Sequence, residues 1–298
     1  MFSRALGRVA RRSGATGIRR ISAEDVSLRR AVVDLCEQDP IVSVMVRRQV
    51  DELGRRHAAY GELYARIIST PDGPVADAAL WTGANLIPLG APDAIEEFAA
   101  LAAKRGRRCS SIVGEVDLVR DLWDRLKPMW TAQRDERFDQ HVLVQTDTPS
   151  VASEPGVRIA TDADAARIIP AAIAMYTEEV GYDPRRFGSG YENHIRSQIS
   201  AGRTFVMTEG EGEDAPVLFT AEVGVLAGGV AQIHGVWVDP ERRGHGLGTR
   251  AMARVCELTK ELHAPTVSLY VNAYNTPAMR VYHNCGFTQH CTFATILF

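Results

Sequence analysis

The chain has 298 residues, with 34 Lys and Arg against 37 Asp and Glu, a formal net charge of −3 and a 45% hydrophobic content. That length suggests two domains of about 150 residues each. The near-neutral charge argues against a nucleic-acid partner, and no apolar run approaches the about 18–20 residues a membrane helix needs. The five cysteines, Cys36, Cys109, Cys256, Cys285 and Cys291, are scattered without metal or redox spacing. They read as buried thiols of a reducing cytoplasm, and no metal is expected.

The first 20 residues carry Arg4, Arg8, Arg11, Arg12, Arg19 and Arg20 and no acid. Residues 1–22 are read as a basic, flexible arm, with an organellar presequence or membrane-surface arm as the alternative. A mixed α/β unit over 23–148 follows. Leu28–Glu37 and Ile41–Leu53 read as helices, and Leu63–Ile68 and Ala78–Ile87 as strands around the Pro71-Asp72-Gly73-Pro74 turn. Pro92–Lys104 reads as a helix, Ser110–Gly114 as a strand, Val116–Leu126 as an amphipathic helix and Asp135–Thr146 as a closing strand. Residues 149–156, Pro-Ser-Val-Ala-Ser-Glu-Pro-Gly, form a linker. In the second unit, 157–298, a strand at Val157–Ile159 precedes helices over Asp162–Tyr176 and Tyr191–Ser200, with a charged loop from Glu178 to Ser189. Strands Thr204–Thr208, Val217–Val225 and Val230–Val238 then make an antiparallel meander.

The meander runs into Val236-Trp237-Val238-Asp239-Pro240-Glu241-Arg242-Arg243-Gly244-His245-Gly246-Leu247-Gly248-Thr249, and a helix opens at Leu247. A strand, a glycine-rich basic turn and a helix N-terminus together form a cradle whose main-chain amides can converge on a phosphate. A tight strand-to-helix turn alone would use the same glycines. The run lacks the Lys-Ser/Thr of a Walker loop and the glycine spacing of a dinucleotide fingerprint. A buried strand at Thr266–Val271 follows, and then Asn275, Ala278, Tyr282, Gly286 and Phe287 in the pattern N-x-x-A-x-x-x-Y-x-x-x-G-F. Asn275 is an N-cap candidate, Pro277 suits the first turn and Gly286 closes the helix. Thr292–Phe298 alternates as a terminal strand.

Together, R-G-x-G-x-G and the downstream Asn–Tyr helix resemble the two signatures of the GCN5-related N-acetyltransferases, the GNAT superfamily. The resemblance covers about residues 157–298. It implies a mixed, mostly antiparallel sheet flanked by helices, with acetyl-CoA as cosubstrate and an amine as acceptor. By this likeness the amides of Arg243, Gly244, His245, Gly246, Leu247, Gly248 and Thr249 would hold the CoA pyrophosphate. Val236, Trp237 and Val238 would line the pantetheine arm, with the backbones of Val236 and Val238 pairing with its amides and the Val238 amide facing the thioester oxygen. Asn275 would bond near the arm and Tyr282 would protonate the leaving thiolate. A homodimer is compatible with the likeness.

The front half repeats the strand–loop–helix–strand–helix order, but places Pro88-Leu89-Gly90-Ala91-Pro92 where the glycine turn should be. It reads either as a degenerate GNAT-like half without a CoA loop or as an unrelated α/β domain. The whole-chain pattern resembles actinobacterial GNAT proteins that carry an N-terminal domain of unknown function. For the base, some family members use an acid at the position of Gln232 or of Tyr270, and both acids are absent here. His234 and Glu222, on neighbouring strands, are the candidates. Acetyl transfer to a primary amine is the leading expectation. The alternatives are a mycothiol-synthase-like acetylation of a small thiol-containing amine and a non-catalytic acyl-CoA-binding regulatory protein.

Overall fold

The computed structural model describes residues 16–53, 61–210, 212 and 215–298. The chain order is β1 (Thr16–Ile21), α1 (Val26–Gln38), α2 (Pro40–Leu53), β2 (Glu62–Thr70), β3 (Gly73–Thr82), β4 (Asn85–Gly90), α3 (Ile95–Arg105), β5 (Ser111–Glu115), α4 (Val116–Leu126) and β6 (Asp135–Gln145). It then repeats as β7 (Arg158–Ile159), α5 (Ala165–Val180), α6 (Gly190–Ser200), β8 (Thr204–Thr208), β9 (Val217–Ala227), β10 (Val230–Val238), α7 (Leu247–Leu262), β11 (Thr266–Asn272), α8 (Thr276–Asn284) and β12 (Thr288–Leu297). Each half therefore reads β-α-α-β-β-β-α-β-α-β, so the internal echo in the sequence extends over the whole chain.

Among the described residues all strands join one 12-stranded sheet in the order β1-β2-β3-β4-β5-β12-β6-β11-β10-β9-β8-β7. The two closing strands have changed places. β6, from the front half, lies between β11 and β12, with Val267 to Asn272 facing Gln145 to Gln140. β12, from the end of the chain, lies between β5 and β6, with Phe293 to Leu297 facing Glu115 to Ser111. The 23–148 and 157–298 segments are thus halves in sequence, but neither completes its sheet without a strand from the other. Helix α2 of the front half also packs on β9 and β10, and its Arg47 lies beside Gly228 in the turn between them.

Four apolar clusters cover the two faces of the sheet. On one face Val32, Val44 and Val50 of α1 and α2 pack over Leu63, Val142 and Phe293, and Ile168, Ile173, Ile195 and Ile199 of α5 and α6 pack over Val206 and Val217. On the other, Phe98, Leu122 and Trp123 of α3 and α4 cover Ile112 and Ile296, while Met252, Val255 and Cys256 of α7 cover Phe219, Ala231 and Leu269. Alternation along each strand sends successive side chains to opposite faces. Burying them stabilises the fold by about 25 cal/mol per Å² of apolar surface.

Three sequence expectations are corrected. Thr16–Ile21 is not part of an arm: it is an edge strand paired with Ile68–Leu63 of β2, and Arg19 and Arg20 belong to it. Charged residues are what an edge strand carries to discourage further pairing. Arg4, Arg8, Arg11 and Arg12 lie outside the described residues. The single strand expected over Ala78–Ile87 is a hairpin of β3 and β4, turning at Gly83-Ala84. The expected loop from Glu178 is helical as far as Val180, where Gly181 caps α5.

Candidate functional site

The site is set by where β10 leaves β11. The two strands pair in parallel only at Val230, Ala231 and Gln232, opposite Thr266, Val267 and Ser268. From Ile233 to Val238 β10 diverges, bends at a bulge between His234 and Trp237 and stays paired only to β9. The divergence leaves one edge of β10 facing a wedge, where an extended amide-bearing ligand could add as a strand. Gly235 makes the bulge at φ +59°, a left-handed conformation that costs other residues about 1–2 kcal/mol.

The mouth of the wedge is the glycine turn. Asp239 caps the short turn Pro240–Arg242 by accepting the Glu241 amide at 2.8 Å. Gly244 and Gly246 follow at φ +82° and +77°. Gly246 is the N-cap of α7; it supplies no side-chain cap, and the first turn holds no acid. The first-turn amides and the positive end of the helix are therefore presented without a competing carboxylate. Leu247 is buried beneath the turn. Gly248 lets α7 approach the strand, since a Cβ there would lie 3.3 Å from Val238 Cγ2 and 3.5 Å from Val281 Cγ2. Thr249 accepts the Cys285 thiol at its carbonyl (3.2 Å), and His245 accepts Arg250 at its carbonyl (3.5 Å).

Arg243 does not point into the turn. Its Nη1 and Nη2 bond the two carboxylate oxygens of Glu178, both at 3.0 Å, and its Nε donates to the Val238 carbonyl at 3.0 Å. The guanidinium holds the Glu178 carboxyl below its usual range. This ties the end of α5 to the end of β10 across the mouth.

The front half lacks this mouth although it shares the splay: β4 pairs β5 only at Asn85 and Leu86. The Ala91 amide is already bonded to the Asp77 carbonyl at 2.9 Å. Pro92 offers no amide, and the turn leading into α3 and its first turn carry Asp93, Glu96 and Glu97. Arg66 clamps the turn, donating from Nε and Nη2 to Asp77 (2.8 and 2.7 Å) and from Nη2 to Asp93 (2.7 Å). An acid-rich, pre-bonded helix start repels an anion where the second half would attract one.

Of the other expected residues, Val236 and Val238 pack toward α7 and α8, whereas Trp237 packs with α5 and α6 on the opposite face. Asn275 caps α8 by accepting the Ala278 amide at 3.2 Å, so its carboxamide nitrogen is the group left for a ligand. Tyr282 is 7% exposed and packs edge-on to Phe287 (5.8 Å between ring centres). Burial raises its proton affinity, with the nearby Glu179 charge acting in the same direction. The phenol therefore stays protonated through neutral pH, the form that donates.

Both base candidates lie on the α5–α6 face of the sheet. Glu222 and His234 are direct cross-strand partners. The His234 ring lies flat on Gly224, where a Cβ would fall 2.3 Å from Nδ1. His234 Nε2 bonds Gln232 Oε1 at 2.9 Å, and burial pushes its pKa down. Tyr270 stands edge-on to it at 6.0 Å, and burial pushes that phenol up to about 12. The Glu222 carboxyl lies over the β10 bulge, so that a Cβ on Gly235 would be 3.7 Å from its Cγ. His194, which the sequence reading had passed over, reaches Glu222 Oε1 from α6 with Nε2 at 3.4 Å. Its signal is its helical spacing from Tyr191, Ile195 and Gln198, which places it at the edge of the stripe that α6 turns to the sheet.

Comparison with known proteins agrees with this geometry. Residues 183–287 match the acetyltransferase (GNAT) family model, and residues 61–168 match a domain of unknown function, DUF4081. The mycothiol acetyltransferase of Mycolicibacterium smegmatis is 31% identical over 160 residues, 48% of this chain and 50% of that protein. The chain thus spans about half the length of the curated relatives it matches. Among solved structures, a tandem GNAT protein from the clavulanic acid biosynthesis pathway superposes with a TM-score of 0.57 at 16% identity, covering 94% of this chain and 98% of its own. A GCN5-related N-acetyltransferase from Sphaerobacter thermophilus gives 0.58 at 16% identity, covering 94% of each. An open cradle at the mouth of a strand wedge and the two matched segments lead to one assignment: the chain carries an acetyltransferase (GNAT) family domain over residues 183–287, behind a segment, residues 61–168, that matches a domain of unknown function.

Proposed function

We propose that the protein transfers the acetyl group of acetyl-CoA to a primary amine by direct attack on the thioester. The observation that carries this reading is the wedge between β10 and β11, which opens at Ile233 and ends on the uncapped, acid-free start of α7. The turn from Gly244 to Thr249 holds the pyrophosphate; the Arg243 amide is already bonded to the Pro240 carbonyl at 3.3 Å. The free edge of β10 at Val236 and Val238, with Asn275 on the far wall, aligns the pantetheine arm. The Val238 amide stabilises negative charge developing on the thioester oxygen. Tyr282 donates a hydrogen bond to the departing sulfur; because burial raises its proton affinity, it acts as a neutral donor rather than a strong acid.

Glu222 is the better placed base. His234 has its Nε2 held by Gln232 and its proton affinity lowered by burial, whereas Glu222 lies against the bulge past which the acceptor must come. In this reading residues 157–298 carry the chemistry. Residues 23–148 are a GNAT-like half without a CoA loop that lends β6 and one wall of the fold, and 149–156 link the two. Five unpaired thiols suit a cytoplasmic protein; among the described residues no helix is long and apolar enough to cross a membrane.

A second reading, acetylation of a small thiol-containing amine, is favoured by the 31% identity to mycothiol acetyltransferases over about half their length. The test is thiol release from acetyl-CoA by the full chain against a panel of amines, small thiol-bearing amines included. Transfer to at least one amine, reduced about ten-fold or more in Tyr282→Phe, is expected. Tight CoA binding with no release for any amine would point to a regulatory acyl-CoA-binding protein instead.

A further inference from the structure

His194 sits in the middle of α6, with its side chain 51% exposed, and aims Nε2 at Glu222 Oε1. Glu222 is much less exposed, at 20%, and is the Cα partner of Thr204 on one side and His234 on the other. Its carboxyl faces the β10 bulge at Gly235, beside Met175 of α5. The carboxylate beside the bulge is thus contacted from the more exposed side by one imidazole. His234, on the other side of Glu222, is half-buried and has its Nε2 engaged by Gln232 at 2.9 Å. It offers no comparable way out.

Resting on the acetyl-transfer reading, we infer that His194 is the proton exit of the site: Glu222 takes the proton of the acceptor ammonium and hands it to His194, which releases it to water. The acceptor N–H bond breaks and an O–H bond forms on Glu222. That proton then moves to Nε2 of neutral His194 in its Nδ1–H tautomer, and the resulting imidazolium loses its Nδ1 proton to bulk water. The net change is ammonium plus water giving free amine plus hydronium, with no electron transferred. The base must give this proton up before it can serve another acceptor, so turnover continues only if the proton is passed on. The hydrogen bond to Glu222 raises the proton affinity of His194 despite its partial burial, which makes it the natural receiver. His194 touches the base rather than the substrate and is a positioning and relay residue.

The neighbouring charges leave this assignment intact. His234 faces Glu222 from β10, and Tyr191 faces it from α6; burial keeps Tyr191 protonated. On α5, Tyr176 shares a hydrogen bond with Tyr182 and is pushed up to about 12, burial being the main cause, and Glu179 pairs with Arg137. In the turn before α6, Asp183 is paired with Arg185, and Arg186 lies over the Tyr182 ring. Glu192 and Arg196 complete the charges on α6. At its far end Asp162 accepts Ser200, and Asp164 is held by Arg158. Arg47 of α2 lies at Gly228, the other end of β9.

The test is the pH profile of kcat/KM for thiol release by the full chain and by His194→Gln, with acetyl-CoA affinity measured in parallel. The wild type should lose activity toward acid with an apparent pKa above the ordinary histidine value of about 6.5. In His194→Gln the rate should fall about 10- to 100-fold and the acid limb should move down by about one pH unit or more. Acetyl-CoA affinity should be unchanged, and added imidazole should restore part of the rate. An acid limb that stays in place in His194→Gln, with or without a loss of rate, overturns the inference while leaving acetyl transfer standing. A wild type that releases thiol with no amine overturns both.

Discussion

Replacing Gly235 by alanine probes the junction on which cofactor and acceptor geometry both depend. The backbone there is at φ +59°, where an L residue costs about 1–2 kcal/mol. The new methyl group would lie 3.4 Å from Met175 Cε and 3.7 Å from Glu222 Cγ. Those separations are tight but not overlapping, so the backbone term dominates and the fold survives. For a chain of this size the loss corresponds to a fall of a few degrees in Tm. The functional effect should be larger. The methyl fills the space beside the Glu222 carboxyl, and a displacement of about 1 Å at a reacting group can cost on the order of 10²-fold in rate. Thermal unfolding, acetyl-CoA titration and thiol release on one preparation separate these effects. The expected pattern is a small stability loss, nearly unchanged acetyl-CoA affinity and a fall in kcat/KM of about 10- to 100-fold. Unchanged turnover would refute the placement of Glu222 at the bulge, and unchanged stability would refute the strained turn.

Three further outcomes follow from other parts of the structure. Glu178→Gln frees the Arg243 guanidinium; both partners are largely exposed (61% and 43%), so acetyl-CoA affinity measured by calorimetry should tighten by no more than about five-fold. Asp164 is nearly buried, is bonded bidentately by Arg158 and accepts the Thr161 amide. These bonds, Arg158 foremost, hold its pKa well below the usual carboxylate range. Its contribution is thus complete above the unfolded value of about 3.9 and disappears as pH falls through the folded value. Asp164→Asn should therefore lower denaturant stability at pH 7 by about 1–2 kcal/mol, the partly exposed Arg158 discounting the figure, and the gap to wild type should close in strong acid. Finally, residues 149–298 expressed alone should be insoluble or aggregated, because β11 and β12 lose the β6 strand between them and expose unpaired edges. Co-expression of 1–148 should restore a soluble complex on gel filtration.

Local features of the chain were legible where chemistry acts at short range. The bounds of α4, β8 and β10 and the capping of α8 by Asn275 follow from periodicity and cap residues, and the structure has them at the expected positions. The cradle was readable because glycine, basic residues and a helix start must be contiguous in sequence to work. What depends on partners distant in sequence was not readable. Residues 135–145 and 288–297 alternate as ordinary strands, and nothing in that alternation says that each completes the other half's sheet. β1 looked like a tail because its arginines serve an edge. The β3–β4 turn at Gly83-Ala84 lacks the Asn-Gly or Pro-Gly pairs that mark hairpins. His194 lies 28 residues from Glu222 along the chain, and only the packing of α6 on β9 brings the two together.

Among the described residues one open glycine cradle serves the two halves, and calorimetric titration of the full protein with acetyl-CoA tests its role directly. One molecule should bind per chain, and Gly246→Val, which forces a β-branched residue into φ +77° at the start of α7, should weaken binding by about ten-fold or more while the far-ultraviolet spectrum stays unchanged. Two molecules per chain, no binding, or an unaltered Kd in Gly246→Val would contradict it.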